Sequence, residues 1–321
     1  MPHSAADTDV LPPRAPGAMS ARSLARRRPR TSLFERILAY GFVLPATVAL
    51  VLVIVLPLAW SAVLSLYSWS LTDIDTTKPY VGLENFRHLL HDGAVRTAVR
   101  TTFELVVGAV AVELVLGFVV ALALFHITRG RRLANAIVLL PMIITPVIVA
   151  LLWRYLLDPQ FGIVNWAAGR LGLPSDTAWF GSERLALPSI AVVDIWQWTP
   201  FVVLILHAGM LAIPTELTEA ARVDGAGAWD TVRHVFLPAL RPLILIVLLF
   251  RTMDVYRLFD TIYVLTQGGP GLATETLGMH TYRTGFIFFD MGYAMALSLV
   301  MLAVIVIISA FYLRLLRSER A

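Results

Sequence analysis

The sequence contains no cysteine. That excludes disulfide frameworks, thiolate zinc sites, Fe–S clusters and cysteine nucleophiles. It contains one lysine, Lys78, set between Thr77 and Pro79. A phosphate-binding loop needs Gly-Lys-Ser/Thr at the start of a helix, because its lysine neutralises the β/γ-phosphates. No such tripeptide occurs, so a Walker-type ATP site has to sit on another chain. HExxH and GxSxG are also missing, and the seven histidines show no ligand spacing. Charge is scarce as well. Only 15% of the 321 residues are charged and 58% are hydrophobic, with a mean hydropathy of +0.74. A soluble domain carries about a quarter charged residues.

The chain is rich instead in long apolar blocks, several exceeding the roughly 20 residues that cross about 30 Å of hydrocarbon as a helix. The expected fold is therefore an all-α polytopic membrane protein. Six spans are read at about 37–66, 102–126, 134–155, 188–212, 239–265 and 291–315. Residues 1–34, rich in Pro, Ala, Ser and Arg, read as a disordered tail, and 35–321 as one transmembrane domain. The run Arg26-Arg27-Arg28-Pro29-Arg30 reads as a membrane-orienting charge cluster rather than a nucleic-acid site. It is not a twin-arginine export signal either, since the long apolar block after it lacks a small-residue cleavage site.

The 26 basic residues divide into 16 in the tail, the second and fourth connections and the C-terminus, 7 in the remaining connections, and 3 (Arg154, Arg251, Arg257) within or at span ends. By the positive-inside rule both termini are cytoplasmic, and so is the connection between spans four and five.

That connection runs from Ile213-Pro214-Thr215-Glu216 to Phe236-Leu237-Pro238. Thr215 reads as an N-cap, with Glu216 and Glu219 in the first turns where the helix dipole favours acid. Leu217, Ala220 and Ala221 share a face at helical spacing. Gly225 and Gly227 permit a reversal, and Trp229, Val232 and Phe236 form a second apolar stripe. Periodicity alone leaves two readings open, a docking helix for another protein or an ordinary helical hairpin at the membrane surface.

The stretch resembles the cytoplasmic EAA loop of permease subunits in binding-protein-dependent ABC importers, through Glu219-Ala220-Ala221, Asp224-Gly225-Ala226 and Leu237-Pro238. Further segments, 81–86, 260–271, Glu275-Thr276-Leu277 and 282–286, resemble the maltose, trehalose and glycerol-phosphate group, in its first permease subunit. The resemblance implies a coupling helix seated on a separate ATPase. There Glu219 would bond polar groups of the groove, Ala220 and Ala221 would keep the contact close, and Gly225 would set the turn. It also implies a homologous second permease, an ATPase dimer holding ATP and Mg, and an extracytoplasmic solute-binding protein. This chain itself would hold no cofactor.

Charges within spans are costly and mark function by default. Arg251/Asp254 and Arg257/Asp260 stand at i, i+3 and read as intramembrane ion pairs. Span four offers Asp194, Trp196, Gln197, Trp198 and Phe201, the carboxylate, amide and aromatic mixture that suits a hydroxyl-rich solute. By resemblance, the maltose-type site maps onto Gln197, Trp198 and Phe201 in span four, and onto Arg251, Asp254, Val255 and Leu258 in span five. The last four also share one helix face. Glu104 and Glu113, both in span two, read as packing or inter-subunit hydrogen-bonding groups. Pro141, Pro146 and Pro200 are expected to kink their spans. A proton-coupled secondary transporter using the embedded carboxylates stays open as another class. It would call for inverted repeats, and the hydropathy shows no clear one.

Overall fold

The computed structural model describes residues 33–72 and 78–318. The tail expected over 1–34 lies outside these, except that Leu33 and Phe34 begin the first helix. Among the described residues there is no β-strand, only isolated bridges at Tyr67–Tyr80 and Ser70–Asp290.

The chain divides into two units at Leu56. The first contains α1 (Leu33–Leu50) and a π-helical turn, Val51–Val55. Its side chains from Val43 onward point outward, as in Val53, which is 73% exposed. In sequence the apolar run continues into α2 (Leu56–Leu64), giving one candidate span, Val43–Leu64.

The second unit contains the remaining helices. A short α3 (Glu84–His91) leads into α4 (Gly93–His126). The 34 residues of α4 amount to about 51 Å at 1.5 Å per residue, so it begins well outside the hydrocarbon. Asp92 caps it, accepting the amide of Ala94 at 2.8 Å. The third span is two helices, α5 (Arg131–Ile143) and α6 (Pro146–Leu156), bent by 96°. Pro146 causes the break. It is the first residue of α6, and the residue before a proline is pushed out of the helical region, as Thr145 is at φ −65°, ψ 144°. Pro141 and Pro200, by contrast, sit inside helices that continue through them.

A helix at the next connection, α7 (Ile163–Arg170), precedes α8 (Ala186–Ala212), which packs along α4. Then come α9 (Thr215–Val223), α10 (Ala228–Thr231), a π turn Val232–Phe236 and α11 (Leu237–Tyr256). The continuous span Ala228–Tyr256 starts earlier and stops sooner than the expected 239–265. Beyond it lie α12 (Asp260–Leu265), α13 (Leu277–Tyr282), a third π turn Arg283–Ile287, and α14 (Met291–Ser318). Five helices among the described residues are long and apolar enough to cross a membrane, and six spans result if the bent pair is one of them.

The end of α11 carries neither Pro nor Gly. It is held by long-range hydrogen bonds instead. Thr276 Oγ1 donates to the Leu258 carbonyl at 3.3 Å, and Thr102 Oγ1 accepts from the Leu277 amide at 3.0 Å. The loop from Thr266 to Thr276 is thereby fixed beside the break. Glu275, fully buried, forms an ion pair with Arg283 at 2.8 Å and a hydrogen bond with His280 Nδ1 at 3.0 Å. Gly268 sits against that cluster at φ +87°, where an added Cβ would run into Glu275 Oε2 and Arg283 Nη2. Gly268→Ala is expected to cost about 2–4 kcal/mol, combining left-handed strain with overpacking. Thermal unfolding of the purified protein checks it, and a loss below about 0.5 kcal/mol, as at an ordinary surface site, would contradict it.

Candidate functional site

Two assemblies stand out. The first is α9 and its turn. The N-cap is Pro214 rather than Thr215, and Thr215 starts the helix with no side-chain cap bond. Thr218 Oγ1 donates back to the Thr215 carbonyl at 2.8 Å. The helix ends as the glycine predicts. Gly225 is left-handed at φ +79°, its amide bonds Arg222 O at 3.1 Å, and the Ala226 amide bonds Ala221 O at 2.9 Å. That is a Schellman closure, which satisfies two carbonyls the helix would leave bare. Gly227 is extended, at φ −71°, and needs no glycine freedom.

Glu219, Ala220, Asp224 and Gly225 are exposed or nearly so, while Ala221 and Ala226 lie closer to the body of the unit. Leu237 and Pro238, at the head of α11, are also exposed. Leu217 and Val223 project outward, Val223 at 87% exposure. Val232 and Phe236 are buried, with the Phe236 ring 5.3 Å from that of Phe125 at the end of α4. Trp229 does not join them. It is 70% exposed.

The second assembly is a buried ion network joining α4, α8 and α11. Arg251 is 2% exposed. Its Nε and Nη2 donate to both oxygens of Glu113 at 2.6 and 2.7 Å, Nη2 also to Asp194 at 2.7 Å, and Nη1 to Asp254 at 2.8 Å. Isolated, each of these charges would cost several kcal/mol in the interior; short, charge-assisted bonds to the one guanidinium, bidentate from Glu113, offset part of that cost. The expected Arg251/Asp254 pair is present. The Arg257/Asp260 pair is not, because the helix ends at Tyr256 and i, i+3 spacing across a break does not bring side chains together. Arg257 bonds Asp254 at 3.3 Å instead, and Asp260 opens α12. Glu113 proves to be an ion-pair partner, whereas Glu104 pairs with Arg100 at the surface.

Around the network, Trp198 is half-buried with its ring 5.1 Å from the Arg251 guanidinium. Phe201 and Leu258 are half-buried and Asp254 keeps a third of its side chain exposed. Gln197 and Val255 are buried. The Gln197 amide donates to Ile144 O at 3.0 Å, satisfying a carbonyl freed by the break between α5 and α6. Val255 packs into the core with Leu105, Ile190 and Ile262. Leu258 lies beyond the end of α11, off the helix face expected to carry it.

Several long apolar helices, one broken span and a buried charge cluster define a polytopic helical membrane protein. The chain belongs to the family described as binding-protein-dependent transport system inner membrane component, whose model matches residues 113–320. That match covers Glu113, Asp194, Arg251 and the whole of α9. The chain is 37% identical over 294 residues, 92% of each protein, to the probable ABC transporter permease protein y4oQ of Sinorhizobium fredii. It is 35% identical to the trehalose/maltose transport system permease protein MalF of Thermococcus litoralis, over 89% of this chain and 96% of that one. To the trehalose transport system permease protein SugA of Mycobacterium tuberculosis it is 33% identical, over 90% and 91%. In fold it is similar to a chain of a bacterial ABC transporter involved in the import of the acidic polysaccharide alginate, with a TM-score of 0.77 at 23% identity, over 89% and 96% of the two chains.

Proposed function

We propose that this chain is the membrane-spanning permease subunit of an ATP-driven importer for a carbohydrate, a di- or oligosaccharide of the trehalose or maltose kind. It crosses a bacterial cytoplasmic membrane with both termini inside, and residues 35–321 form its transmembrane domain. The observation that carries the reading is α9, a short helix closed by Gly225 that turns Glu219 outward. The names of the sugar-permease relatives support the choice of solute.

In this mechanism α9 seats in a groove of a separate ATPase dimer, which holds ATP and Mg. Glu219 bonds polar groups at the groove edge, and Ala220 leaves room for a close approach. Closure of the ATPases then pushes α9 and, through Val232 and Phe236, the inner ends of α4 and α11. A second, homologous permease completes the path, and an extracytoplasmic solute-binding protein delivers the sugar. On this chain Trp198, Phe201, Asp254 and Leu258 face the solute, aromatic rings against the sugar ring and the carboxylate accepting hydroxyls. Gln197, Arg251 and Val255 stand behind them and fix their positions.

The test is the ATPase activity of the co-purified complex in proteoliposomes with a panel of sugar-loaded binding proteins. Stimulation by trehalose or maltose over other solutes is expected. Stimulation only by glycerol-phosphate would move the solute to that alternative, and transport driven by a proton gradient with no ATPase would overturn the reading.

A further inference from the structure

Neither half of the bent third span is long enough to cross a membrane alone. At about 1.5 Å per residue, the 13 residues of α5 and the 11 of α6, set at 96°, are about 20 and 16 Å long. The hydrocarbon they have to cross is about 30 Å thick. Arg131 and Arg132 open α5 and hold its start at headgroup level. With the extended residues 144–145 between them, the two helices have little length to spare, and the chain leaving Leu156 is at the edge of the apolar layer.

The segment after Leu156 suits that position. Phe161, Ile163, Trp166, Leu171 and Leu173 are all exposed, by 59–78%. Leu151, Leu152 and Tyr155 of α6, just before them in the chain, are exposed as well. Polar groups of the segment are tied up on its other side. Asn165 is 2% exposed; its amide donates to the carbonyls of Thr177 and Asp158 at 3.0 and 3.3 Å, and its oxygen accepts from Trp179 Nε1 at 2.8 Å. Asp158 accepts the amides of Gln160 and Phe161 at 2.8 and 3.2 Å. Irregular backbone next to lipid is tolerable only when its polar groups are satisfied in this way. The Arg170 guanidinium lies 5.0 Å over the Trp166 ring, an aromatic and a snorkelling cation side by side, as at membrane interfaces.

We propose that residues 161–173, with α7 at their centre, are an interfacial anchor whose apolar side chains rest on lipid acyl chains where the chain leaves α6. The anchor's place in the outer leaflet rests on the orientation given under Proposed function.

The absence of cysteine allows a direct test. Ile163→Cys, Leu171→Cys and, as a polar control, Ser175→Cys are made singly in the full transporter complex, spin-labelled, and placed in phosphatidylethanolamine/phosphatidylglycerol nanodiscs. Oxygen accessibility is expected to exceed that of a water-soluble nickel chelate at 163 and 171 by about threefold or more, as for a helix lying in the interface, with the order reversed at 175. Nickel preference at 163 and 171 would overturn the anchor by placing the face in water. Exclusion of both probes would overturn it in favour of the second permease, and a change only on adding the solute-binding protein would make the face that partner's docking site. Labelling Ser175→Cys with a membrane-impermeant maleimide tests the orientation separately. Reaction only in inverted vesicles would sink the orientation and leave the lipid contact standing.

Discussion

Arg251→Ala is expected to destabilise the protein by about 3–5 kcal/mol, the cost of leaving buried charges without their partner. Glu113 and Asp194 are both almost fully buried and both bonded to this one guanidinium. Removing it leaves two carboxylates facing each other in the interior. Replacing the buried members by apolar residues, Arg251→Met with Glu113→Leu and Asp194→Leu, is expected to recover most of that loss, since the remaining Asp254 is a third exposed and keeps Arg257. Asp254→Asn behaves differently. Its side chain is a third exposed, so stability should change by less than about 1 kcal/mol, while sugar uptake falls. Thermal unfolding of the purified complex, followed by loss of its size-exclusion peak, separates the three. A single Arg251→Ala variant as stable as wild type would mean that the carboxylates do not carry charge in the folded protein.

The second large effect is expected at α9. Ala220→Trp places a bulky side chain on the face proposed to enter the ATPase groove, without touching the core. The permease should fold and insert normally, yet lose sugar-stimulated ATP hydrolysis by about tenfold or more, because excluding a close contact by even about 1.4 kcal/mol is a factor of ten in association. Glu219→Ala should uncouple in the same direction. Gly225→Val acts through the backbone, since φ +79° costs an L-residue about 1–2 kcal/mol, and it should misplace the helix rather than its surface. Co-purification of the ATPase with each variant is the readout. Full stimulated activity in Ala220→Trp would remove α9 from the coupling role.

How far the sequence could be read depended on whether the cause was local. Apolar blocks located spans four and six to within a few residues, but α4 starts at Gly93 and the fifth span runs over Ala228–Tyr256; of the three prolines read as kinks, Pro146 alone breaks its span. The turn after α9 was legible because Gly225 is where a Schellman closure needs it. The end of span five was not, because Leu258 O is satisfied by a hydroxyl 18 residues away and the neighbouring loop is pinned to Thr102, 175 residues from Leu277. With that end misplaced, Arg257 was matched to Asp260 instead of Asp254. The charge at Glu113 was visible as an embedded acid, but its partner lies 138 residues on. Gln197 reads as a solute-binding amide by type, and only the break at Ile144 explains why it is needed inside.

The three-helix charge network also limits how the molecule can move. Sliding α4, α8 or α11 past one another by the roughly 1–2 Å of an ordinary helix shift would pull 2.6–2.8 Å bonds apart in a medium that offers no replacement. These helices therefore travel as one rigid block. In the proposed transport cycle, rotation between facing states would be left to the joints outside it, residues 144–145 in span three and 257–259 after span five, where the backbone has already left the helix.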